Sequence, residues 1–82
     1  MADVTYYVAL PFVMDDDGPA ARDGTECTSA GAAIMRAEAL ARSPGHIGAV
    51  AFSRSGDPML GEFADAVLLR VFGDVPSDLS GL

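Results

Sequence analysis

The chain has 82 residues, one cysteine, one histidine and a net charge of −7. This length suffices for a single domain, whose small core makes it only marginally stable on its own. One cysteine excludes an internal disulfide and one histidine argues against a Cys/His metal cluster, so we expect self-association to supply the missing stability. The acidity, with five arginines and no lysine, argues against nucleic acid and anionic membranes as partners.

Half of the residues are hydrophobic, which predicts a globular rather than a disordered chain. The first residues lack the basic and apolar regions of a signal peptide, and no apolar run reaches transmembrane length. We therefore expect a cytoplasmic protein, with one domain over residues 1–82 and frayed ends at 1–3 and 77–82. No sequence pattern indicates a cofactor.

The first predicted element is a strand from Val4 to Met14. Apolar side chains occupy both of its alternating faces, which indicates burial on both sides. Pro11 cannot donate a ladder hydrogen bond, so it predicts an edge strand, a bulge or an early end of the strand, and of these the edge position is favoured.

A polar connection is predicted from Asp15 to Cys27, followed by a helix from Thr28 to Ser43. Thr28 or Ser29 can cap the first turn, and Ser43-Pro44-Gly45 ends the helix. Small apolar residues recur at helical spacing and predict close packing against a sheet. We also expect an ion pair between Glu38 and Arg42 on the outer face.

The second half of the chain predicts a hairpin. His46 to Arg54 alternates as a strand, and Asp57-Pro58-Met59-Leu60-Gly61 has the residues of a tight loop. The returning strand runs from Glu62 to Phe72; a helix from Glu62 is the competing prediction, because apolar residues there also fit a 3.6-residue period.

The expected order is therefore β-α-β-β, an α+β domain with one helix on a three-stranded mixed sheet. The first two strands would be parallel and the third would lie between them, in the order 1-3-2 of a ferredoxin-like split β-α-β arrangement. One helix covers one face only, so the other would expose an apolar patch and favour a two-fold dimer that packs these faces or joins sheet edges. The candidate interface residues are Phe12, Val50, Phe52, Leu68 and Phe72.

Two residues could carry nucleophilic or acid–base chemistry, Cys27 and His46. Cys27 precedes the helix, where thiols can be reactive, although a small buried hydrophobe is the more frequent role. The helix separates the two residues by more than ~20 Å, which argues against a catalytic dyad within one chain. We therefore predict no catalytic residue and lean against an enzyme.

Two polar segments could bind ions. Asp15-Asp16-Asp17-Gly18 lacks the alternating acidic positions of a calcium loop, so we predict a solvated loop and no metal site. Ser53, Arg54, Ser55 and Asp57 surround a Gly-containing turn and could present amides, hydroxyls and a guanidinium to an anion. The alternative is that Arg54 pairs with a carboxylate across the hairpin and the serines satisfy the turn.

The last two-thirds of the chain resembles a group of short, uncharacterised bacterial proteins, mainly from alphaproteobacteria. The shared run is GAVAFSR at residues 48–54, Gly-Asp-Pro at 56–58, Gly61, Asp65-Ala66 and FGDVP at 72–76; Ser29-Ala30 at the helix start belongs to it too. The resemblance implies no activity.

Together these observations predict a small protein-interaction module, homodimeric and non-catalytic, which could also bind an unidentified protein partner. The alternative is a regulatory domain that binds a small anionic metabolite at the 53–61 loop.

Overall fold

A computed structural model describes residues 3–75 of the chain. Its elements are one helix and six strands, and the six strands form one sheet. In chain order they are β1 (Val4–Asp15), β2 (Gly18–Ala21), β3 (Thr25–Cys27), α1 (Ala30–Arg42), β4 (Gly48–Asp57), β5 (Glu62–Phe63) and β6 (Val67–Gly73). The ends predicted to fray lie outside the described residues, apart from Asp3.

The sheet is antiparallel throughout and is built around the two longest strands, β1 and β4. They pair side by side from Val4 opposite Gly56 to Phe12 opposite Gly48. β2 and β3 pair one after the other along the outer side of β1. β5 and β6 pair in the same way along the outer side of β4. The sheet curls, and α1 packs across one of its faces.

This architecture corrects the predicted fold class. Residues 3–75 are mostly β, with six strands rather than three, and do not form a ferredoxin-like β-α-β-β domain. The predicted parallel pair, β1 and β4, is antiparallel, and the last strand lies at the edge of the sheet instead of its centre. The antiparallel direction of β4 follows from residues 15–27, which reverse the chain before the helix begins.

That segment was predicted as an irregular connection, but it forms β2 and β3. Asp16 and Asp17 make a two-residue hairpin turn between Asp15 and its ladder partner Gly18, whose φ of +108° suits glycine. A strand of glycine, proline and alanine has low intrinsic β propensity. Its pairing with β1 therefore supplies the stability that local sequence preference does not.

Pro11 lies in a central strand, so the predicted edge position is wrong. Its carbonyl accepts a hydrogen bond from Arg22 N, in the break between β2 and β3. The N–H and C=O of one strand residue point to the same side, so the donor that proline lacks would also face this break. The break removes the penalty that a central strand normally places on proline.

The helix is confirmed, with helical residues Ala30–Arg42 inside the predicted Thr28–Ser43 and with caps at Ser29 and Ser43. Ser29 is the N-cap, and its Oγ accepts from Ala32 N at 3.1 Å. Glu38 and Arg42 form the expected ion pair at 3.4 Å on the exposed face. At the other end, Nδ1 of His46 lies 2.8 Å from the carbonyl oxygen of Leu40 and closes the last turn.

The buried side chains form two clusters, one on each side of the sheet. The cluster under the helix consists only of alanines, which lets α1 approach the sheet closely; they are Ala9, Ala33, Ala37, Ala49 and Ala51. Phe12, Val50 and Phe52 form the other cluster, on the face opposite the helix. Half-buried apolar residues pack around this second cluster; they are Val8, Leu10, Ile47, Ala66 and Val75.

The returning segment is extended, so the strand prediction is confirmed over the helix prediction. It is divided into β5 and β6 by residues 64–66, where Ala64 N donates to Ser55 O. A bulge interrupts the pairing of β6 with β4 opposite Ala51 and Phe52. No helix within residues 3–75 is long and apolar enough to cross a membrane.

Candidate functional site

The hairpin loop after β4 has the predicted turn chemistry. Asp57 Oδ1 accepts from Met59 N at 2.9 Å, and Asp57 O accepts from Leu60 N at 3.1 Å. Gly61 has a φ of +68°, the left-handed conformation that returns the chain into β5. The carboxylate of Asp57 therefore stabilises the turn through its hydrogen bond with Met59 N.

The polar candidates at the end of β4 alternate between the two faces of the sheet. Ser55 Oγ lies 2.8 Å from Thr5 Oγ1, its partner across the ladder. Arg54 is opposite Tyr6 in the ladder, on the other face, because successive strand residues point to opposite sides. Ser53 lies on the same face as Ser55.

The structure therefore does not gather the four predicted ligand-binding residues at one point. An anion could contact the serine hydroxyls from one side of the sheet or Arg54 from the other. The geometry lends no support to joint recognition of a metabolite, and that alternative stays a prediction.

Cys27 and His46 lie at opposite ends of α1, as expected. Cys27 is half-buried in β3, where its thiol donates to Thr25 O at 3.6 Å and packs against the alanine cluster. The ring of His46 contacts the Leu40 carbonyl at the end of α1. These contacts fit structural roles for both side chains.

The acidic turn between β1 and β2 is exposed. Asp15 Oδ1 accepts from Asp16 N at 2.7 Å, a contact within the turn itself. Among residues 3–75, no group of three or more His, Cys, Asp and Glu side chains could hold a metal ion.

The five predicted interface residues separate into three environments. Phe12, Val50 and Phe52 are at most 9% exposed and belong to the interior of the chain. Phe72 is half-buried on the helix face of the sheet. Only Leu68 is exposed, so the predicted patch does not exist as one surface.

A different set of exposed apolar side chains lies on β5 and β6, along the outer side of β4. We call it the β5–β6 ribbon and define it by four large side chains, three on the face opposite the helix and one, Val67, on the helix face. They are Phe63, Val67, Leu68 and Val71, with exposed fractions of 43, 59, 47 and 40%. The ring of Phe63 contacts Tyr6 of β1 at a centroid distance of 5.9 Å. Within the described part of the chain, no strand pairs with the outer edge of β6.

Sequence reasoning missed this ribbon because a continuous apolar run fits a central strand as well as an edge strand. Arg70, the one charged residue of β6, was the available signal. Charged residues are common on edge strands, where they limit uncontrolled pairing.

Comparison of the chain with protein-family models, with curated proteins and with solved structures finds no match. The resemblance to short bacterial proteins over the last two-thirds of the chain therefore stays a prediction.

Proposed function

We propose that the chain is a small protein-interaction module that works as a homodimer and has no catalytic role. The observation that carries this proposal is the β5–β6 ribbon, which combines exposed apolar side chains with an edge strand. We also propose a cytoplasmic location, which fits the free thiol of Cys27.

The proposal follows from the distribution of apolar residues in a small domain. The large side chains Phe12, Val50 and Phe52 are buried on one side of the sheet, while the fully buried residues under the helix are alanines, bordered by larger half-buried side chains. Such a core is small, whereas apolar side chains on the ribbon stay in water. Covering them with a second copy would remove that surface from water and add stability.

The homodimer can be tested by light scattering coupled to size-exclusion chromatography over a range of concentrations. We expect wild type to show twice the mass of 8.4 kDa at high concentration. Val71→Glu should shift the protein to the monomer, because it places a charge on the ribbon and adds to a chain that is already acidic.

Met35→Glu is the matched control, since Met35 is 73% exposed on α1, away from the ribbon. It should leave the monomer–dimer equilibrium unchanged. Monomeric wild type throughout would refute the homodimer, and equal effects of the two variants would refute the ribbon as its interface.

A further inference from the structure

We propose that the Asp57–Pro58 peptide bond, at the tip of the β4–β5 hairpin, is a self-cleavage site. The carboxyl group of Asp57 attacks its own main-chain carbonyl carbon and releases Pro58 as a new N-terminus. The inference goes beyond the proposed function and does not depend on it, because the reaction occurs once per chain and involves no turnover. Water can reach the bond, since residues 58–61 are all exposed.

The Asp57 side chain is folded over the bond that it would cut. Its Oδ1 accepts from Met59 N at 2.9 Å. This hydrogen bond joins the carboxylate to the amide two residues further on, so it spans the Asp57–Pro58 bond. Attack by the other carboxyl oxygen, Oδ2, closes a five-membered ring, and a nucleophile tethered in this way reacts as if it were present at very high concentration.

The same turn activates the carbonyl group under attack. Leu60 N donates to Asp57 O at 3.1 Å. Negative charge develops on this oxygen when the tetrahedral intermediate forms, and a backbone donor that is already in place stabilises it. One amide of the turn therefore positions the nucleophile, and a second polarises the electrophile.

Proline is a favourable leaving group at this position. Its nitrogen carries no hydrogen in the peptide and leaves as a secondary amine, which is more basic than a primary amine. The carboxyl proton passes to Pro58 N as the C–N bond breaks and the new C–O bond forms, which gives a cyclic anhydride of Asp57. Water then opens the anhydride and leaves two carboxyl groups on Asp57.

Only one bond of the chain has this chemistry, because Pro58 alone among the five prolines follows an aspartate. The expected products are therefore the fragments 1–57 and 58–82. After the cut, β5 and β6 would be attached to β4 by strand pairing alone.

Mass spectrometry of the purified protein in a mildly acidic buffer with protease inhibitors measures the rate, and circular dichroism verifies the fold there. We expect the two fragments to form with first-order kinetics, at a rate independent of protein concentration. Unfolding the chain in urea at the same pH should slow the cleavage by roughly 10-fold or more, because it removes both hydrogen bonds of the turn and keeps the Asp–Pro bond.

Two variants test the chemistry. Asp57→Asn keeps an acceptor for Met59 N but removes the attacking carboxyl group, so it should abolish cleavage. Pro58→Ala should slow it by roughly 10-fold, because protonation of a less basic nitrogen assists its departure less. Asp65→Asn, the same change at an exposed aspartate outside the turn, is the control and should cleave at the wild-type rate.

Three results would overturn the proposal. They are intact wild type after prolonged incubation, equal rates for the folded and unfolded chain, and undiminished cleavage in Asp57→Asn. None of them bears on the homodimer, which is tested by its own mass measurement.

Discussion

Replacing Gly48 with alanine is expected to lower the free energy of unfolding by about 3 kcal/mol or more. A Cβ at this position would lie 2.6 Å from the carbonyl oxygens of Phe72 and Asp74, and 2.8 Å from Asp74 N. These are backbone atoms of the neighbouring chain segment, so no side-chain rotation can relieve the overlap. The end of β6 would have to move away from β4 and lose its ladder hydrogen bonds.

Urea unfolding followed by circular dichroism measures this effect, at one low protein concentration because dimerisation adds to apparent stability. Gly31→Ala is the matched control. Gly31 lies inside α1, and nothing lies within 4 Å of the position where its Cβ would be. Alanine should stabilise the helix there by about 1 kcal/mol. A loss below ~1 kcal/mol for Gly48→Ala would contradict the close approach of β6 to β4.

Phe12→Ala should lower the free energy of unfolding by about 3–5 kcal/mol. The side chain is 4% exposed and contributes to the cluster opposite the helix, together with Val50 and Phe52. Its removal leaves a cavity that the sheet cannot close, because ladder pairing on both sides holds the backbone of β1 in place. The sequence-based prediction, that Phe12 lies in an exposed interface, requires a different result.

An interface residue would change the dimer dissociation constant and leave the stability of the monomer nearly intact. Thermal or urea unfolding below the dissociation constant therefore separates the two roles. Phe63→Ala is the matched control, because Phe63 is 43% exposed and its ring packs on Tyr6. We expect a loss of about 1 kcal/mol there. Equal losses for the two phenylalanines would contradict an interior role for Phe12.

Local signals made the helix and the hairpin turn predictable. Ser29, the alanine stripe and Ser43-Pro44-Gly45 define where α1 begins and ends, and each acts within a few residues. Asp57 and Gly61 likewise hold their own turn. Such interactions join residues that are close in the sequence, so the local sequence is enough to predict them.

The fold itself depended on strand pairing that the composition of the segments does not indicate. β2 has the composition of a loop, and only the ladder with β1 makes it a strand. Because β2 and β3 run antiparallel to β1, the chain enters α1 in the reversed direction. β4 therefore returns antiparallel to β1 rather than parallel. β6 pairs with the outer side of β4, at the edge of the sheet rather than at its centre.

In the candidate site too, the local turn was predictable and the features that depend on strand pairing were not. The turn at Asp57 was predictable, but the separation of Arg54 from Ser53 and Ser55 requires knowledge that β4 continues as a strand through Asp57. Predicting the exposed ribbon would have required the order of the strands in the sheet. Its apolar residues were visible in the sequence, whereas their place at an edge was not.

The most direct test of the homodimer is amide hydrogen exchange at single residues of β6, measured by NMR from dilute to concentrated protein. The amide of Val71, which by strand alternation points away from β4, should exchange more slowly as the concentration rises, in proportion to the fraction of dimer. The amide of Phe72, which is directed toward Ala49 in β4, should be protected at every concentration. Exchange at Val71 that is fast at all concentrations, in a range where the protein is dimeric, would contradict pairing at this edge.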